Sequence, residues 1–132
     1  DGGQSWTLLS STSSDETGFD SLWDYIYAVE VDPSAATSGS AGDDSEVYAA
    51  TYGRVWRSLD GGASWDAALT SNTGSSFSTR TDVEVTSTGE VYGALSPDGD
   101  RNGLFYSTSG DPISTNPSEW TKITPVGLPS VF

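Results

Sequence analysis

The chain has 132 residues and a formal net charge of −14, from 19 acidic and 5 basic side chains. This charge repels phosphate backbones, which argues against a nucleic-acid partner. No apolar run has the length of a membrane span, so we expect no membrane insertion. Cysteine and histidine are absent, which excludes disulfides, thiolate metal sites and catalytic triads from this chain.

Serine and threonine are very frequent and lysine is represented once, at Lys122. A high content of serine and threonine is common in extracellular β-proteins, so we expect an extracellular or cell-surface location. Low lysine with many aspartates fits a salt-rich habitat, a calcium-rich exterior or a solvated acidic surface, and all three remain open.

Alternation of apolar and polar residues predicts an all-β chain, because glycine and proline interrupt every long helical window. A partial strand is expected at 5–10. Eight further strands are predicted at 24–32, 45–52, 54–59, 64–69, 81–87, 89–96, 103–109 and 119–124.

The predicted strands fall into two parallel series of four. VEVD (29–32) aligns with VEVT (83–86), EVYAA (46–50) with EVYGA (90–94), and VWRS (55–58) with LFYS (104–107). The tryptophans at 6, 65 and 120 recur at intervals of roughly 50–60 residues, a period that suits a four-stranded propeller blade.

The stretch SLDGGASW (58–65) has the pattern Ser/Thr-x-Asp-x-Gly-x-x-Trp, with Ser58, Asp60, Gly62 and Trp65 in place. It resembles the Asp-box, or BNR repeat, of sialidase, sortilin and xyloglucanase propellers. The resemblance implies blades of four antiparallel strands, each with an Asp-box hairpin between its third and fourth strands.

Two further copies of the box are less complete. DGGQSW at the start of the chain resembles a box without its first two residues, with box positions at Asp1, Gly3 and Trp6. A third copy keeps Ser107 and Trp120, but Ser109 stands where the aspartate belongs and an insertion follows.

The physical chemistry of the box favours a structural role. Its glycines permit the positive φ of a tight hairpin, and its aspartate can accept N–H groups that the turn leaves unpaired. The tryptophan can pack beneath the turn. We therefore expect Asp60→Ala to impair folding rather than activity.

The repeat divides the chain into segments of one incomplete propeller. We predict the end of a preceding blade at 1–10, blades at 22–69 and 79–124, and a lead-in to a further blade at 125–132. Two blades leave edges and an interblade face uncovered, so the remaining blades of a parent protein or identical copies are expected as partners. The truncated first box favours a slice of a larger protein.

The best metal-site candidate is DGDRNG (98–103). Asp98, Asp100 and Asn102 alternate before Gly103, as in D-x-D-x-N-G calcium loops. An acidic hairpin turn without metal is the alternative reading. Calcium is the one cofactor that the sequence indicates.

No catalytic residue can be assigned. The arginines at 54, 57, 80 and 101 are too scattered to form a substrate clamp, and the Phe/Tyr-Arg-Ile-Pro motif of sialidases is absent. We expect Arg54 and Arg57 to form surface ion pairs. Trp23, Tyr25 and Tyr27 could stack on a sugar at a blade mouth, although core packing is the more common use.

These observations predict a binding or scaffolding module of a larger secreted or surface protein, with a glycan or a protein as ligand. The alternatives are part of a sialidase-like or xyloglucanase-like glycoside hydrolase propeller and a structural subunit of a surface assembly.

Overall fold

The computed structural model describes residues 3–12, 21–34, 46–70, 80–95, 102–114, 116 and 118–123. A 3₁₀ turn spans Ser10–Thr12, and eight strands follow. They are β1 Ile26–Val31, β2 Val47–Thr51, β3 Arg54–Ser58, β4 Asp66–Thr70, β5 Thr81–Val85, β6 Val91–Leu95, β7 Gly103–Ser107 and β8 Thr121–Ile123. Each strand end lies within two residues of its predicted position.

The strands form two four-stranded antiparallel sheets in chain order. The first sheet has the order β1-β2-β3-β4 and the second β5-β6-β7-β8, so each is a meander. Neither sheet closes on itself within the described residues. The all-β prediction and the two series of four strands are therefore confirmed.

Strand β5 shows why the sequence forms a sheet with one covered face. Thr81, Val83 and Val85 are buried, whereas Asp82 and Glu84 between them are exposed. Side chains alternate between the two faces of a strand, so one face of the second sheet packs against the first sheet while the other carries the acids.

The core lies between the two sheets. The sheets approach closely at Gly93, where an added Cβ would lie 2.8 Å from Leu69 Cδ2 and 3.3 Å from the Trp120 ring. A side chain at this position would push the sheets apart. The buried cluster comprises Tyr48, Ala50, Val55, Ala68, Leu69, Val83, Val85, Val91, Leu95, Phe105, Ile113 and Trp120.

Polar contacts also join the sheets. Arg57 Nε lies 2.6 Å from Oε1 of Glu46, the residue just before β2, and its Nη1 lies 2.7 Å from Oδ1 of Asp111, in the connection between β7 and β8. The Ile113 amide donates to the Ala68 carbonyl at 2.9 Å. The segment after β7 is thereby tied to the first sheet as well as to its own.

The partial strand predicted at 5–10 is wrong. Residues 5–9 have no regular structure, and the Thr12 amide then closes the 3₁₀ turn on the Leu9 carbonyl at 3.1 Å. Trp6 and Leu8 are 90% and 77% exposed, so no neighbouring sheet covers the alternating side chains of this segment. Within the described parts of the chain, no helix is long and apolar enough to cross a bilayer.

Candidate functional site

The hairpin between β3 and β4 is organised around the Ser58 hydroxyl. Its Oγ accepts the amides of Gly62 at 2.7 Å and Asp60 at 3.3 Å, and donates to Asp60 Oδ1 at 2.8 Å. Asp60 in turn accepts the amide and hydroxyl of Ser64 at 2.8 and 2.6 Å. The Trp65 indole donates to the Gly62 carbonyl at 3.1 Å. The four box residues predicted from the sequence therefore meet in one turn.

These hydrogen bonds determine the protonation state of Asp60. The bonds from Ser64, followed by the bond from Ser58, stabilise the carboxylate and lower its pKa to about 2. Asp60 is exposed and fully ionised near neutral pH. A carboxylate held in this state supports a turn and is a poor general acid.

The hairpin between β7 and β8 (the Ser107–Trp120 hairpin) repeats this arrangement with a different carboxylate. Ser107 Oγ accepts the amides of Gly110 at 2.7 Å and Ser109 at 3.2 Å, and donates to Glu119 Oε1 at 2.7 Å. Glu119 also accepts the Ser109 amide at 3.2 Å. The Ser107 bond is the main cause that lowers the pKa of Glu119. Glu119 thus accepts the serine hydroxyl in this turn, as Asp60 does in the β3–β4 turn.

The tryptophans also correspond. Trp120 donates its indole N–H to the Asp111 carbonyl at 2.9 Å, four residues after Ser107, as Gly62 is four residues after Ser58. Trp120 is 5% exposed between the sheets, whereas Trp65 is half-buried on the opposite face of the first sheet.

The chain start contains one further element of this pattern. Gly3 has a φ of 83°, close to the 95° of Gly62, and each glycine approaches the ring of the tryptophan three residues later. Trp6 is 90% exposed. Asp1 lies outside the described residues.

Two of the three predicted calcium ligands, Asp98 and Asp100, also lie outside the described residues. Asn102 is described, and its Oδ1 accepts the Lys122 ammonium at 3.0 Å. The described part of the chain contains no cluster of three potential His, Cys, Asp or Glu ligands. Calcium binding at 98–103 stays a prediction.

A cleft opens at the end of the sheets opposite the two hairpins. This end holds the starts of β1, β5 and β7 and the end of β6. In an antiparallel meander, the end of one strand and the start of the next lie at the same end of the sheet. The cleft has a volume of about 440 Å³, within the range of small-ligand sites. Its described lining residues are Tyr27, Arg80, Thr81, Asp82, Ala94, Leu95 and Gly103.

Three tyrosines cluster beside this cleft. The ring of Tyr52, in the β2–β3 turn, lies 4.8 Å from Tyr25 and 5.8 Å from Tyr27, edge-on to both. Tyr25 and Tyr27 remain 37% and 39% exposed. Loss of solvation, assisted by the neighbouring tyrosines, raises the pKa of Tyr52 to about 12, so its hydroxyl stays protonated. We call these three residues and the cleft lining the aromatic cleft.

The other candidates from the sequence have structural contacts. Trp23 stacks on Trp56 at 5.3 Å and lies 5.2 Å from Trp65. Arg54 lies over the Trp56 ring at 5.1 Å, a cation–π contact, and among the described residues it forms no ion pair of the kind expected. Arg57 forms ion pairs as expected. The pair with Glu46 is shielded, since both side chains are 13% exposed, whereas the partner in the other pair, Asp111, is 51% exposed.

The aromatic cleft combines groups suited to a polyhydroxylated ligand. Tyrosine rings offer apolar faces, while Asp82, Arg80 and the tyrosine hydroxyls offer acceptors and donors. Hydrolysis of a glycoside commonly uses two carboxylates flanking the bond, and Asp82 is one carboxylate in the described lining.

Comparison with known proteins found no matching family model, no matching curated protein and no matching solved structure.

Proposed function

We propose that the chain forms two adjacent blades of a β-propeller that act as a carbohydrate-binding module outside the cell. Support for the blades comes from the two consecutive four-stranded meanders packed face to face. The two serine–carboxylate hairpins add support, because each connects the third and fourth strands of its sheet, as an Asp-box does.

The observation that carries the binding proposal is the pair of partly exposed tyrosine rings, Tyr25 and Tyr27, beside the cleft. Large aromatic side chains left in solvent at a concave site are typical of ligand contact. A sugar ring can lie against such a face through its C–H groups while its hydroxyls bond to Asp82 and Arg80. The proposal takes neutral oligosaccharides as the ligand class.

The test is a calorimetric titration of the purified chain with a panel of neutral oligosaccharides. We expect binding that Tyr27→Ala weakens at least about tenfold, the equivalent of about 1.4 kcal/mol, and that Tyr27→Phe largely retains. Trp6→Ala is the matched control, because Trp6 is an exposed aromatic outside the cleft. Tyr27 is itself 39% exposed, so its loss leaves the fold intact, which circular dichroism can verify.

Three outcomes would contradict the proposal. Either no oligosaccharide binds, or Tyr27→Ala binds as tightly as the wild type, or Trp6→Ala weakens binding as much as Tyr27→Ala. Chromatography of the titrated sugars examines the alternative function, because a glycoside hydrolase would release shorter products.

A further inference from the structure

The packing between the two sheets defines a pair of complementary faces. The second sheet contributes Val83, Val85 and Val91, and the first sheet contributes a face with Tyr48, Ala50 and Val55. All are buried in the interior. The chain therefore contains one complete example of a sheet-to-sheet interface with a known register.

The face that the second sheet contributes, with Val83 and Val85, has a counterpart on the outer side of the first sheet. Val29 pairs with Ala49 and Val31 with Val47 in the first sheet, as Val83 pairs with Gly93 and Val85 with Val91 in the second. Val29 and Val31 are 55% and 56% exposed, whereas Val83 and Val85 are 3% and 9% exposed. Equivalent valines are thus covered in one sheet and uncovered in the other.

The face that the first sheet contributes, with Tyr48, Ala50 and Val55, likewise has a counterpart on the outer side of the second sheet. Tyr92 pairs with Glu84, as Tyr48 pairs with Glu30, and Ala94 pairs with Leu104, as Ala50 pairs with Val55. Leu104 is 42% exposed. Part of each member of the internal interface is therefore presented again on an outer surface: the valine part on the first sheet, where Trp23 covers the neighbouring Trp56, and the part with Tyr92 and Leu104 on the second.

We propose that the outer face of the first sheet, with Val29 and Val31, binds the outer face of the second sheet of another copy, with Tyr92 and Leu104. The contact between copies then continues the interface already formed within each copy. It joins two different surfaces, so it is heterologous, and it generates a ring or a filament according to the rotation between copies. The inference is independent of sugar binding.

Sedimentation of the full 132-residue chain over a range of concentrations tests the proposal, and we expect association beyond the 13.8 kDa monomer. Two variants each block one face: V29E/V31E on the first sheet and L104E on the second. The substituted side chains are about half exposed, so the monomers should remain folded. Circular dichroism verifies this, and V29T/V31T is a milder second variant.

The decisive measurement is an equimolar mixture of V29E/V31E and L104E. Each variant alone should sediment as a monomer, but each retains the face that the other lacks, so the mixture should form a one-to-one dimer. A wild-type chain that stays monomeric at all concentrations overturns the proposal and means that something other than a second copy covers these faces. Self-association of L104E alone also overturns it, since that result indicates a symmetric contact between two first sheets.

Discussion

The two strand-connecting hairpins of this chain reach one hydrogen-bonded arrangement by different routes. In the first, the carboxylate of Asp60 follows Ser58 by two residues. In the second, Glu119 follows Ser107 by twelve and reaches the serine from the far side of the turn. What is retained is a serine hydroxyl that accepts two amides and donates to a carboxylate. The position of the carboxylate in the chain can change because only its position in space matters.

The hairpins differ more in their packing than in their hydrogen bonds. The Ser107–Trp120 hairpin lies against the first sheet through Tyr48 and Arg57, and its tryptophan is buried. The Ser58–Trp65 hairpin has an exposed turn. It contacts the 3₁₀ turn near the start of the chain, where the Ser11 hydroxyl donates to the Gly62 carbonyl at 2.6 Å. The second hairpin should therefore be the more sensitive to substitution.

The largest difference is expected between the tryptophans. Trp120→Ala should lower the free energy of unfolding by about 3–5 kcal/mol, because it opens a cavity between the sheets. Trp65→Ala should cost about 1–2 kcal/mol, because this ring is only half-buried. Urea denaturation of both variants measures the difference. Equal losses would mean that the two rings are equally buried in solution, as continued packing of the first sheet on another copy would produce.

The next difference is expected between two glycines with the same backbone conformation. Gly61 and Gly110 both have a φ of 66°. Gly61→Ala should cost about 1 kcal/mol from left-handed strain alone, since this residue is exposed. Gly110→Ala should cost about 2–4 kcal/mol, because its Cβ would also overlap the Tyr48 hydroxyl oxygen.

The Gly110 prediction has an internal control. Gly110→Ala combined with Tyr48→Phe removes the overlapped oxygen and should recover part of the loss, relative to Tyr48→Phe alone. If Gly61→Ala and Gly110→Ala unfolded at the same urea concentration, the contact between the Ser107–Trp120 hairpin and Tyr48 would be absent in solution.

The smallest effect is expected from the carboxylates and depends on pH. The pKa of Asp60 is lowered from its ordinary value to about 2, so its ionised form stabilises the folded state above the ordinary value. This contribution is lost as the pH falls through about 4 to about 2. The stability difference between wild type and Asp60→Asn should follow the same course. Glu119→Gln should behave in the same direction, since the pKa of Glu119 is also lowered.

Urea denaturation of wild type, Asp60→Asn and Glu119→Gln at a series of pH values measures these differences. The variants remove one titrating group each, so effects of the other acids cancel in the comparison. A difference that persists unchanged to about pH 2 would show that the hydrogen bonds do not depend on the charge.

The sequence predicted the strands well because alternation is a local signal. VEV at 29–31 and 83–85 places valines two apart, and both segments lie in their expected strands, β1 and β5. The same signal failed at 5–10, where SWTLLS has alternation without a neighbouring strand. Alternation shows that a segment has side chains suited to a strand, but a strand also needs a neighbouring strand to pair with.

Glu119 cannot be found from the fixed spacing of the 58–65 pattern. Ser109 stands two residues after Ser107, where Asp60 stands two residues after Ser58, and residues 112–118 separate this turn from the carboxylate of Glu119 that takes the place of Asp60. An acidic residue immediately before the retained Trp120 was the available signal. The aromatic cleft was only partly foreseen, since Tyr25 and Tyr27 were singled out but Tyr52, Arg80 and Asp82 lie on other elements.

By itself, the sequence determined the strands, their order within each series and the serine-centred turn at 58–65, since all of these depend on residues close in the chain. Tertiary structure alone decided which face of each sheet is covered. Val29 and Val83 stand in the same local motif, yet one is 55% exposed and the other 3%. Burial depends on what packs against a face, and for Val83 that is a sheet formed by residues far away in the chain.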